Sequence, residues 1–350
     1  MCPFRETICR LHPYHLEPDR SAFVRLDANE NPYGPSPQVM AALAALTPAD
    51  LACYPDRTPL RIALAAREGF SVEWVEVSNG SDDLLRNLID LTIAPGTAAV
   101  VTAPTFSMNI LFLMIREARI VKIPWPPTAP FPTAEMIAAA RAAQAKLLML
   151  VNPGAPIGTL IPVSAIEQIV TDLPETLIVV DEAYGEFTGI TVAPLVRRAE
   201  NLVVTRTFSK AWGLAGMRIG YCFAHPTIIS LLRTLLSPYP LSAAALAAAR
   251  AALTDEAWMY QSVEKIVKER ERMRTALAAL GYTVLPSAAN SLVIEGNDLV
   301  TMSAYLKERD ILVRYFAKLP PLSADAVRIT VGRPEDTDLL IAALTEWRKG

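Results

Sequence analysis

The sequence predicts an α/β fold: a mostly parallel, seven-stranded sheet wound with helices, joined to a smaller α+β unit. Three observations carry this. From about residue 72 to residue 224, short β-branched runs alternate with segments of helical period. The runs are nearly continuous in apolar character, as expected of strands covered on both faces. After Pro240 the chain changes to long Ala- and Leu-rich helices and then to a second, shorter set of strands.

In order, the large-sheet strands are "VEWVEV", "AAVVTA", "ARIVKI", "KLLMLV", "TLIVV", "NLVVT" and "RIGYCF". "PWPPTAPFP" at 124–132 reads as a surface loop. "LSAAALAAARAAL" is a helix, and "DEAWMYQSVEKIVKERERMRTALAALG" reads as one long helix that opens on acids and stops at Gly281. Its KERERMR stretch is most simply a solvated face with i,i+4 pairs. The tail alternates "YTVL", "NSLVIEG", "ILVRYF" and "AVRITVG" with the helices "DLVTMSAYLKER" and "EDTDLLIAALTEWRK". The expected division is a large domain over 40–240 and a small one built from 1–39 plus 241–350.

The 350 residues are 52% hydrophobic, enough for about two domains without staples. A net charge of -3 with interleaved signs disfavours nucleic acid and anionic membrane as partners and favours a small molecule. Cys2, Cys9, Cys53 and Cys222 form neither a CxxC pair nor a disulfide framework. His12, His15 and His225 make no metal pattern, and none is expected. "MCPFRETICRLHPYHLEP" lacks the apolar centre of a signal peptide and no run is long enough to span a bilayer, so the expected location is the cytoplasm.

Chemistry concentrates in "VVTRTFSKAWGLAGMRIGYCF" (203–223). Lys210 stands between two strand-like runs, where a lysine is either a loop residue in a tight crossover or an amine held for covalent chemistry. Thr207, Ser209 and Arg218 flank it and together could grip a phosphate. Gly213 and Gly216 would allow the tight return. "VEVSNGSDDLLRNLI" puts Gly80, Ser81 and Asp82 at a helix N-terminus, a natural anion site that Asp82 and Asp83 could also satisfy. Asp181 ends the strand of "TLIVVDEAY", either as a cap or as an acceptor facing a ligand, with Tyr184 three residues on. Phe106 of "APTFSMN" could stack on a ring or belong to the core.

One ligand unites these residues: pyridoxal 5'-phosphate. Its aldehyde can condense with the Lys210 amine, and its phosphate suits the helix N-terminus with Arg218. Asp181 would keep its pyridine nitrogen protonated. Tyr184 would bond its phenolic oxygen, with Asn152 of "LVNPGAPIG" as second donor.

In the order "LDANENPYGPSP", "YPD", "SNGSDDLL", "PTFSM", "NPGAPIGT", "DEAYGEF", "TFSKAWGLAGMRIGY" and "VRITVG", the chain resembles the fold-type I, class I/II aminotransferases that depend on pyridoxal phosphate. It is most similar to the histidinol-phosphate aminotransferase family. The resemblance implies a homodimer with shared active sites, in which Tyr54 of "YPD" reaches the partner's cofactor phosphate. It implies substrate contacts from Tyr14, Asn29, Arg314 and Arg328, with Arg328 receiving a carboxylate. It further implies ping-pong transfer between glutamate/2-oxoglutarate and histidinol phosphate/imidazole-acetol phosphate. An aromatic amino acid aminotransferase, an amino acid phosphate decarboxylase and a non-catalytic cofactor-binding sensor are the alternatives. Gly154, Ala155 and Ile157 depart from the family's usual Asn-Pro-Asn-Asn-Pro-Thr-Gly, which catalysis should tolerate, while Asn109 stands where many relatives carry an aromatic or histidine and Trp212 where Phe is common, and these bear on substrate choice.

Overall fold

The computed structural model describes residues 3–12, 19–322 and 324–349. Its strands, in chain order, are β1 (Val24–Leu26), β2 (Val75–Asn79), β3 (Ala98–Ala103), β4 (Arg119–Pro124), β5 (Leu147–Val151), β6 (Leu177–Asp181), β7 (Leu202–Thr207), β8 (Ile219–Ala224), β9 (Thr283–Val284), β10 (Ser291–Gly296), β11 (Ile311–Phe316) and β12 (Asp325–Thr330). They form a seven-stranded sheet in the order β2-β8-β7-β6-β5-β3-β4 and a five-stranded sheet in the order β1-β11-β12-β10-β9.

In the larger sheet β4, β3, β5, β6 and β7 pair in parallel, while β8 runs antiparallel to both β7 and β2. Parallel neighbours need a helical crossover, but an antiparallel one can follow through a short connection. Residues 208–218, which carry Lys210, are that connection. Strand alternation sorts the core into two layers. Leu147, Met149, Val179 and Val203 meet Leu84, Leu88 and Ile229 on one face. Leu148, Leu150, Val180 and Val204 meet Met136, Ile166 and Ile169 on the other. Each such fully buried side chain stabilises the sheet by about 2 kcal/mol. The second layer continues into the small sheet through Leu292, Ile294, Val327 and Ile329 and the long helix through Ile266 and Met273.

That helix spans Glu256–Ala279 and ends as expected, with Gly281 in the left-handed region at φ 81°. Its charged stretch differs from expectation. Glu269 and Arg270 are buried, and Arg270 donates to the Ala289 carbonyl at 2.9 Å. Its ion pairs include the i,i+3 pairs Arg272–Glu269 and Arg274–Glu271, the adjacent pair Arg270–Glu271 and a longer-range pair from Arg272 to Asp338. The Pro-rich loop is likewise anchored: Trp125 is buried, donates to Ala129 O at 3.1 Å and meets Phe131 edge-on. "VEWVEV" forms strand only from Val75, because Val72–Trp74 is a 3-10 turn whose Trp74 packs edge-on to His225.

β1 adds to the small sheet in parallel with β11, and the other pairs are antiparallel. Among the described residues no helix is long and apolar enough to cross a membrane.

Candidate active site

Because β2, β3, β5, β6 and β7 share a direction, their carboxyl ends lie along one edge of the sheet. The reversed strand β8 begins at that same edge, which brings Arg218, the residue before it, to the same place. A cleft of about 100 Å³ opens there, lined among others by Ser81, Asp82, Phe106, Asp181, Tyr184, Thr207, Ser209, Lys210 and Arg218.

One end of the cleft is built for an anion. The helix Ser81–Thr92 starts after Gly80 with no side-chain cap, so its first N–H groups are unclaimed by a side chain. Arg218, itself left-handed at φ 53°, reaches the Ser209 hydroxyl at 3.4 Å and Asp82 at 3.3 Å. Ser209 N donates to Thr207 Oγ1 at 3.0 Å, which folds both hydroxyls inward. Gly80 has φ 82°, and a Cβ there would lie 2.7 Å from Arg218 Nη2. Gly80→Ala should therefore strain the turn and displace the guanidinium, costing on the order of 1–2 kcal/mol, read as a lower thermal unfolding midpoint. Gly213, at φ 69°, behaves as expected and lets the lysine loop touch Gly34, whose carbonyl carbon would sit 2.5 Å from a Cβ. Gly216 differs: it has neither positive φ nor a close neighbour.

Asp181, the last residue of β6 and almost wholly buried, lines the same cleft. Burial pushes its carboxyl up to about 7, with Asp82 adding, against the hydrogen bonds from Thr205 and Ala183. Both bonds end on Oδ1, at 3.0 and 3.2 Å, which leaves Oδ2 for a donor in the cleft. The neighbouring Glu182 points to the other face of the sheet, where Arg206 Nε reaches it at 3.0 Å. That pairing answers the charge of Arg206 and keeps it out of the anion cradle.

Lys210 lines this cleft as well. Its Nζ donates to Ala28 O at 3.0 Å and sits 5.8 Å from the Tyr184 ring centre. The Ala28 carbonyl belongs to a strap that crosses the cleft: Arg328 donates to Asp27 O at 2.6 Å and Asn290 to Asn29 O at 3.0 Å. The sequence showed no strap. Its only signal was "LDANENPYG" itself, where Asn29 takes a left-handed φ of 55° that a short polar side chain tolerates.

Other expected residues are placed differently. Asn152 follows β5 beside Asp181, but its amide is engaged both ways by Ile161, at 2.9 and 3.4 Å, and it does not line the cleft. Phe106 lines the cleft and packs against both core layers. Asn29 is buried, its amide directed to Tyr184 and Ser291. Arg314 and Arg328 are cross-strand partners on β11 and β12, each 5.9 Å from the Phe316 ring. Tyr54 is 78% exposed and stacks on Tyr239 at 4.3 Å, outside the cleft of its own chain. Tyr14 lies outside the described residues.

An amine, a buried carboxylate with one oxygen open to a cationic donor, a phenol and an anion cradle form the donor set that a phosphorylated pyridine aldehyde needs. The residues present fit pyridoxal phosphate. Fold and cleft together are those of an aminotransferase, and a sequence profile of the family Aminotransferase class I and II matches residues 21–344: this chain belongs to that family. Its relatives narrow the class. It is 42% identical over 334 residues to a histidinol-phosphate aminotransferase of Roseiflexus castenholzii, covering 92% of this chain and 89% of that one. It is 35% identical over 348 residues to histidinol-phosphate aminotransferase 2 of Rhizobium meliloti, covering 97% of each. Among solved structures it is similar, with TM-score 0.89 and 27% identity, to histidinol-phosphate aminotransferase from Sinorhizobium meliloti in complex with pyridoxal-5'-phosphate. That match covers 100% of this chain and 98% of that one.

Proposed function

We propose that this chain is a pyridoxal-phosphate transaminase that moves an amino group between glutamate/2-oxoglutarate and histidinol phosphate/imidazole-acetol phosphate. The observation that carries this reading is the convergence of Lys210 and Asp181 with the Ser81, Ser209 and Arg218 cradle in one cleft. Bound there, the cofactor supplies an electron sink for the negative charge that develops at the substrate carbon. Lys210 Nζ would take a proton from that carbon and return it on the far side of the transferred nitrogen, a 1,3-shift. Asp181 would hold a protonated ring nitrogen through Oδ2, and that cation would oppose the effect of burial on the carboxyl. Tyr184 would donate to the phenolic oxygen. Ser81 N–H, Thr207, Ser209 and Arg218 would hold the phosphate, and Phe106 would cover the ring.

Two substrates that share only an amine and a distant anion suit two adjacent arginines. Arg328 and Arg314, paired across β12 and β11, can each bind a carboxylate or a phosphate by two parallel hydrogen bonds. Tyr14 is assigned to the phosphate end by resemblance. In this reading residues 40–240 hold the cofactor, and 1–39 with 241–350 close over the substrate to exclude water.

Incubation of the yellow, cofactor-loaded protein with histidinol phosphate, phenylalanine or threonine phosphate tests the reading. Conversion to the pyridoxamine form should be fastest with histidinol phosphate and release no carbon dioxide. A carbon dioxide burst with threonine phosphate, or conversion with phenylalanine alone, overturns it.

The active unit is proposed to be a cytoplasmic homodimer in which Tyr54 serves the partner's cofactor phosphate. The exposure of Tyr54, Leu51 and Met40 supports this. Tyr54→Phe should lower cofactor affinity about tenfold, the worth of one hydrogen bond to a charged group, in a spectroscopic titration. Unchanged affinity would count against shared sites.

A further inference from the structure

We propose that Asn29 is a positioning residue, whose side-chain amide donates to the Tyr184 hydroxyl and so aims the only proton of that hydroxyl at the phenolic oxygen of the cofactor. This rests on the cofactor reading above, and goes beyond a substrate contact for Asn29.

The Thr330 hydroxyl accepts from the Asn29 backbone N–H at 2.9 Å and donates its own proton to Asn29 Oδ1 at 3.1 Å, so Oδ1 is the acceptor of this pair. Nδ2 therefore occupies the other branch, 3.0 Å from Tyr184 Oη and 3.2 Å from Ser291 Oγ. An oxygen that accepts from Asn29 cannot also donate to it. The phenolic proton of Tyr184 must point elsewhere, and Tyr184 lines the cleft.

The clamp is tight. Asn29 is 2% exposed, and its carbonyl accepts from Asn290 at 3.0 Å. Thr330 on β12 and Ser291 on β10 bring the remaining bonds, so the small sheet sets the orientation of a phenol held by the large one. A hydrogen bond donated to the phenolic oxygen of the cofactor stabilises negative charge there and lowers the proton affinity of the nitrogen–oxygen pair beside it. Losing the aim raises that affinity. The titratable and charged groups that line the cleft with Tyr184 are Lys210, Asp181, Asp82 and Arg218.

The test is the pH midpoint of the visible absorbance of cofactor-loaded protein. Asn29→Ala and Thr330→Val should each raise it by about half to one pH unit, as expected for a neutral hydrogen bond. Thr330→Ser, which keeps the hydroxyl, should leave it in place. In a Tyr184→Phe background, Asn29→Ala should add nothing, because the two act through one bond. The inference is overturned if Tyr184→Phe moves the midpoint while Asn29→Ala and Thr330→Val do not. It is equally overturned if Asn29→Ala shifts the midpoint as much in the Tyr184→Phe background as in wild type. Should Asn29→Ala not fold, Thr330→Val decides against its serine counterpart. A wild-type protein that shows no pH-dependent visible band, with no adduct at Lys210 after borohydride, instead overturns the cofactor reading and this inference with it.

Discussion

Lys210→Ala should abolish amino transfer, with a loss of about 10⁴-fold or more in turnover, while the protein remains folded and still retains cofactor without a covalent bond. The size follows from two roles lost together. One amine both tethers the cofactor and shuttles the proton, and general acid–base catalysis alone contributes about 10²–10⁴-fold. Folding should change little, because the Lys210 amine bonds to the Ala28 carbonyl, and the loop is held independently by Gly213 against Gly34 and by Ser209 against Thr207. Stopped-flow half-reactions and borohydride reduction with peptide mapping check this. An adduct on any other lysine, or wild-type turnover in the variant, would sink the assignment.

Asp181→Asn should separate stability from activity. Burial pushes this carboxyl up to about 7 from an ordinary 3.8. A folded-state value raised this way means that the native state holds a proton which the unfolded chain has released. Stability of the cofactor-free protein therefore falls as pH rises from about 4 to about 7, and the deficit is complete above that. The amide carries no charge and escapes the deficit. Cofactor-free Asp181→Asn should be more stable than wild type at pH 8, by on the order of a few kcal/mol, and equal to it near pH 4. Its turnover should fall by about 10²–10³-fold, since a neutral partner no longer holds the ring nitrogen protonated. Urea unfolding at both pH values and single-turnover kinetics measure the two effects. A variant no more stable at pH 8 than at pH 4 relative to wild type would contradict the buried, unpaired carboxylate.

Much of this is legible in the sequence, for a physical reason. Buried parallel strands must be nearly all apolar, so the seven runs stand out, and any polar residue at their ends, such as Asp181 or Thr207, is conspicuous. The motif around Lys210 and the turn at Gly80 are local in sequence and local in space. What escapes notice depends on contacts between distant segments. Asn29 meets Thr330 and Tyr184 across the whole length of the chain, and nothing in the run "LDAN" announces that its carbonyls face Arg328 and Lys210. The place of Asn152 just after a strand suggests a donor to the cleft, yet its amide is taken by the backbone of Ile161. The helical charges Glu269 and Arg270 look solvated because burial of an ion depends on what packs over it, here the turn at Ala289.

The peptide oxygens of Asp27 and Ala28 give Arg328 and the cleft residue Lys210 a main-chain acceptor. Incoming anions and aldehydes thus compete with amide dipoles rather than with bulk water, and their measured affinity is the difference between two internal partners. Such a swap demands little new ordering of long side chains, so association should be governed by displacement of the N-terminal crossing and less by freezing rotamers.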